Sequence, residues 1–162
     1  MDEEWMNTLS ELKSVWTRVE SAAPAESAAP EADESEYLRR AMQREADAAA
    51  RYTALARLWD GRSAEALRGF AAQCRQNLKR LETAYFLCCG DTYVCRQEKL
   101  PTDGLLGYLR RAYLEEGDAA TQYLRAAAAT EQGPQCRLFR ELEQSCIRRR
   151  EALYALVYRV LG

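Results

Sequence analysis

Tyr37-Leu-Arg-Arg-Ala-Met-Gln-Arg-Glu-Ala-Asp-Ala-Ala-Ala-Arg-Tyr52 and Tyr108-Leu-Arg-Arg-Ala-Tyr-Leu-Glu-Glu-Gly-Asp-Ala-Ala-Thr-Gln-Tyr123 are the two stretches that decide the fold. At a fixed offset of 71 they agree in 10 of 16 positions. Shared alanine-rich composition inflates that figure, but it does not produce such agreement by itself, so the chain carries an internal duplication. Both stretches are rich in alanine, leucine, arginine and glutamate, the residues that lose least on entering a helix.

Working outward from these copies, the sequence predicts four helices. The first runs over about 36–59. Asp60-Gly61-Arg62-Ser63 reads as a stop, a turn and a new helix start. The second spans about Ala64 to Cys89 and stops at Gly90. A long connection covers 90–103, and the third helix runs over about 104–132. Gly133-Pro134 ends it and opens the fourth, proline being tolerated in a first turn, which continues to about Val160. The segments after the two copies correspond at an offset of 72, which aligns Cys74 with Cys146. Two hairpins with short turns and one longer crossover make an all-α, antiparallel four-helix bundle over residues 37–162.

Ahead of the bundle, Trp5, Leu9, Leu12, Trp16 and Val19 recur at steps of 4, 3, 4 and 3. That spacing predicts a short amphipathic helix over 1–19. Residues 20–36 repeat Glu-Ser-Ala-Ala-Pro and read as a flexible Ala/Pro/Glu/Ser linker. Residues 1–36 hold ten acids and two bases, giving −8, so the rest carries +6 of the total of −2. An acidic arm precedes a basic body, and the arm is expected to favour that body. The start Met1-Asp2-Glu3-Glu4 lacks the basic and apolar pattern of a secretory leader. No apolar run approaches the roughly 20 residues of a membrane span. The expected location is cytoplasmic, with the six cysteines as reduced thiols. None lies in a Cys-x-x-Cys pair and there is no histidine, which argues against a zinc finger or a Cys–His nucleophile.

Helical spacing assigns the inward seam. The second helix offers Leu67, Phe70, Cys74, Asn77, Leu81, Ala84 and Cys88, and the fourth offers Phe139, Leu142, Cys146, Arg149, Leu153, Leu156 and Val160. The first and third are apolar inward except at Glu45 and Glu116. Folding each hairpin about its turn brings Glu45 level with 77 and Glu116 level with 150. Glu45, Cys74, Asn77, Glu116, Cys146 and Arg149 should therefore share one polar layer. Bare carboxylates in a core need compensation. Arg149 supplies a fork of donors and stays charged. A shared proton, or Arg148 turned inward, would balance the remaining −1.

Here the chain resembles the ferritin-like superfamily, in particular its rubrerythrin-type members, over about 37–160. Glu45 with Tyr52 and Glu116 with Tyr123 resemble that family's Glu-x6-Tyr ligand helices. Gln73-Cys74-Arg75-Gln76-Asn77 and Ser145-Cys146-Ile147-Arg148-Arg149 stand where its two Glu-x-x-His motifs stand. The resemblance implies the fold and, in the family, two irons reacting with oxygen or peroxide. This sequence keeps the single glutamates but has cysteine, asparagine and arginine at the four Glu-x-x-His positions, which removes the bridging carboxylates and imidazoles.

Two readings of function follow. In the favoured one the chain is a degenerate ferritin-like structural or interaction module with no cofactor and no catalytic residue, leaning away from an enzyme. Trp5, Leu9, Leu12, Trp16 and Val19 then either pack on the bundle or dock on a partner protein or a second copy; a membrane role fits poorly, because the arm is acidic. In the alternative, Glu45, Glu116, Cys74 and Cys146 hold zinc or iron, or the two cysteines do thiol–redox chemistry. Cys88, Cys89 and Cys95 cluster near one helix end and are expected to pack rather than bind metal. Arg148-Arg149-Arg150 reads as one seam residue with two flanking charges, so nucleic acid is not expected as a partner.

Overall fold

The computed structural model describes residues 33–97, 99–100 and 103–162. The arm over 1–19 and its linker up to residue 32 lie outside them. The described helices are α1 (Glu34–Ala56), α2 (Gly61–Cys89), α3 (Leu105–Ala129) and α4 (Gln135–Leu161), and no strand occurs among the described residues.

The helix ends differ from the sequence reading, each for a local reason. α1 begins two residues early, because the Asp33 carboxylate accepts a hydrogen bond from Glu36 N at 2.8 Å; this ties down one of the amides that a helix start leaves unbonded. The last residues assigned to the linker are therefore helical. α1 ends at Ala56 rather than Trp59, and Trp59 lies in the connecting turn, half-buried against the core. α2 starts at Gly61 instead of Ala64, with Asp60 rather than Ser63 preceding it. Gly61 has φ +64°, a left-handed conformation that lets so short a turn reverse the chain. α3 stops at Ala129, ahead of a turn at 130–132.

Side-chain pairs fix the helix directions. Tyr52 meets Glu116 and Tyr123 meets Glu45, so α1 and α3 run antiparallel. Arg80 pairs with Glu141 and Gln73 with Arg149, so α2 and α4 do too. The hairpins α1–α2 and α3–α4 pack most closely, and α1 also lies against α3. The order is up, down, down, up, and residues 90–104 must travel the length of the bundle. Gln43 pins this crossover, donating to Arg96 O at 2.7 Å and accepting from Arg96 N at 2.9 Å.

The core has two halves. One gathers Leu38, Met42, Leu81, Tyr123, Phe139 and Leu142; the other gathers Tyr52, Leu55, Leu67, Leu109, Leu153 and Leu156. Each half takes one end of both hairpins. Two seam assignments fail at the bundle ends. Cys88 is exposed and Val160 is 39% exposed, each in the last turn of its helix. Phe70 and Tyr113 are half-buried. Among the described residues no helix is long and apolar enough to cross a membrane.

Candidate functional site: a closed polar layer

Between the two apolar halves lies a stratum of polar side chains. Glu45, Glu116 and Arg149 are all but sealed from solvent, with Asn77, Cys74 and Cys146 beside them. Seam spacing on four helices delivers them to one level, so the layer follows from the duplication. Its bonding follows the duplication too. The Tyr52 hydroxyl donates to Glu116 Oε1 at 2.5 Å, and the Tyr123 hydroxyl donates to Glu45 Oε1 at 2.8 Å. Each repeat thus supplies the tyrosine that holds the other repeat's glutamate.

The symmetry breaks at the equivalent positions 77 and 149. Asn77 Nδ2 donates to Glu45 Oε2 at 3.3 Å. Arg149 grips Glu116 with a fork, Nε to Oε1 at 2.8 Å and Nη2 to Oε2 at 3.2 Å. It reaches Glu45 Oε1 only at 3.7 Å. Its remaining donors go to Gln73 Oε1 at 3.2 Å and Cys146 Sγ at 3.5 Å. The two glutamates are therefore chemically unequal. Burial pushes the Glu45 carboxyl up, only partly opposed by Arg149 and Tyr123. Burial would lower Arg149, but Glu116, Cys74 and Glu45 outweigh it and hold the guanidinium firmly charged.

Burial likewise raises both thiols. Cys74 and Cys146 are pushed up first by desolvation, with Glu45 and Glu116 adding to the effect against Arg149. Tyr52 and Tyr123 are also driven well above the ordinary phenol range, mainly by burial and then by the facing carboxylates. All six cysteines are free thiols.

The arginine triplet corrects one expectation. Arg148 does not turn inward; it is exposed and donates to Ser145 Oγ at 3.3 Å. Arg150 is the second buried member. Its guanidinium lies 4.4 Å from the Tyr113 ring centroid and donates to the Tyr113 hydroxyl at 3.0 Å. It passes over Gly117, where an added Cβ would meet Nη1 at 3.4 Å. The signal was in the sequence: Gly117 stands where the first copy has Ala46. The sequence reading also missed Gln73, a neutral side chain whose role depends on where the Arg149 fork ends, and the Arg51–Glu115 ion pair between α1 and α3.

On the α1–α3 face a cavity of about 770 Å³ reaches this layer, floored by Glu45, Glu116, Tyr123 and Arg149 and walled outside by crossover residues 95–97 and 99–100. Arg44 leans into it, 5.9 Å from the Tyr123 ring centroid, with its ionisation weakened by burial.

Fold and site together define an all-α four-helix bundle with a glutamate–tyrosine–arginine layer across its middle. A scan against protein-family models finds no match, and neither do searches of the curated proteins and of the solved structures.

Proposed function

We propose that this chain is a degenerate ferritin-like bundle that works without a di-iron centre, as a structural or protein-interaction module. The observation that carries this reading is the Arg149 fork. A metal in the bundle middle needs lone pairs directed at it. Here the glutamate lone pairs are directed at a guanidinium, two phenols and an amide. At 77 and 149, where the family places histidines, the side chains offer N–H groups instead. The donor set does not fit two irons.

The zinc or thiol–redox alternative through Glu45, Glu116, Cys74 and Cys146 meets the same obstacle. Glu45 and Glu116 are already taken up by the Arg149, tyrosine and asparagine donors, and for thiol–redox chemistry burial raises both thiols above the ordinary range, which disfavours the reactive thiolate. In the favoured reading the layer fixes helix register, since a one-turn slip of any helix would strand a buried charge.

Aerobic titration with ferrous iron tests the proposal. The expected result is no saturable two-iron stoichiometry and no oxygen consumption above the buffer rate. Two tightly bound irons per chain would overturn it. The arm over 1–19 is the proposed contact element, through Trp5, Leu9, Leu12, Trp16 and Val19, for a partner protein or a second copy. α1 carries its own cap at Asp33, so deleting residues 1–20 should leave helical content and melting behaviour of the bundle intact while abolishing self-association or partner capture. A deletion variant that no longer folds would remove the arm's role as a contact element.

A further inference from the structure

Cys88 and Cys89 take no part in the polar layer. They close α2 and are both exposed, immediately before Gly90, whose φ of +68° ends the helix. The sequence reading expects both to pack, and places Cys88 in the seam; the structure leaves both exposed. Instead they flank apolar surface that is itself uncovered: Phe86 is 54% exposed and Leu87 77%. Cys88 also lines a groove of about 630 Å³ between the end of α2 and the start of α4, whose apolar wall is Ala84, Leu87 and Leu138. The other thiols are placed differently. Cys74 and Cys146 are buried on separate helices, and Cys95 and Cys136 are half-buried and isolated in sequence.

We propose that Cys88 and Cys89 form a chelating dithiol site for a trivalent arsenical carrying an apolar substituent, with the substituent seated in the α2–α4 groove. Sulfur is a soft ligand and selects soft, thiophilic centres. Two thiols on adjacent residues make the second sulfur bond intramolecular, so the adduct holds far more tightly than one formed by a single thiol. The chemistry balances without an oxidant. An organoarsenic(III) oxide and two thiols give two As–S bonds and one water: the As–O bond is lost, and both thiol protons leave on that oxygen. This suits the state of Cys88. Burial, then the hydrogen bond to the Cys89 thiol, raises Cys88 above the ordinary thiol range. At neutral pH Cys88 is a protonated thiol, poorly suited to attack as a free thiolate but able to supply a proton to a departing oxide.

Phenylarsine oxide is the probe, used on the full-length, fully reduced protein with intact-mass detection. The expected result is one adduct per chain that survives a large excess of a monothiol and is reversed by 2,3-dimercaptopropanol. Cys88→Ser and Cys89→Ser should each convert it to an adduct that the monothiol strips. Cys136→Ser, Cys95→Ser and the double variant Cys74→Ala with Cys146→Ala should retain it. Methylarsonous acid should bind about tenfold more weakly than the phenyl compound, as partial burial of an aryl ring in the groove implies. An adduct that persists in the Cys88 or Cys89 variants, that needs any of the other four cysteines, or that a monothiol displaces from the unaltered protein overturns the assignment. Equal affinity for the two arsenicals overturns the groove's part in it.

Discussion

Replacing Arg149 by alanine is expected to cost about 3–5 kcal/mol, the range for breaking a buried charge pair by removing one partner. That is a large share of the roughly 5–15 kcal/mol that holds a domain folded. The substitution removes the fork on Glu116, the longer attraction to Glu45 and the donor to Gln73 together. Two carboxylates then face each other in a sealed layer with no cation. Changing both to glutamine, Glu45→Gln with Glu116→Gln, should recover much of the loss, because the stranded charge is gone. Acid should also help the Arg149→Ala variant relative to the unaltered protein, since protonation neutralises the facing carboxyls. Thermal melts of the single and triple variants across pH check this. An Arg149→Ala variant that melts with the unaltered protein would mean the guanidinium is not what balances the layer. A variant that instead acquires tight zinc or iron binding, and is stabilised by it, would favour the metal reading.

The second large effect is an inequality between the two copies of one residue. Glu116→Gln takes the partner from the Arg149 fork and leaves a buried cation with only Glu45 at 3.7 Å. It should destabilise by about 3 kcal/mol or more at neutral pH. Glu45→Gln leaves the Glu116–Arg149 pair whole and removes the surplus negative charge, so it should be neutral or stabilising there. The pH dependence follows from the direction of the Glu45 shift. Its folded carboxyl lies above the ordinary value of 4.5, chiefly through burial. The folded state therefore holds that proton more tightly than the unfolded chain does. Glu45 imposes no penalty below the ordinary value, and stability falls as pH rises through the raised one. Glu45→Gln should flatten this slope in chemical denaturation as pH rises above the ordinary carboxylate value. Equal costs for the two substitutions would refute the asymmetry.

Much of this architecture was legible beforehand. The duplication gave two hairpins, and helical spacing alone put Glu45, Asn77, Glu116 and Arg149 on inward faces. Such inferences are local: they need only the period of a helix and the position of its turns. Spacing was least informative at the bundle ends. It treated Cys88 and Val160 like mid-helix seam residues, although both are exposed in the last turns of their helices. It also erred on the arginine triplet, where neighbouring residues point about 100° apart around the axis and small rotations decide which one enters.

By itself, then, the sequence determined the four helices, their pairing and the level at which buried charge would collect. It did so because burial of apolar faces follows periodicity. Only the tertiary structure decided who balances whom. Arg149 chose Glu116 over Glu45 by a difference between 2.8 and 3.7 Å. Arg150 took the space that Gly117 leaves open, and each tyrosine crossed to the opposite repeat. Hydrogen bonds and buried ion pairs depend on ångström-scale geometry between segments distant in sequence, and a pattern of residue types carries no such distances.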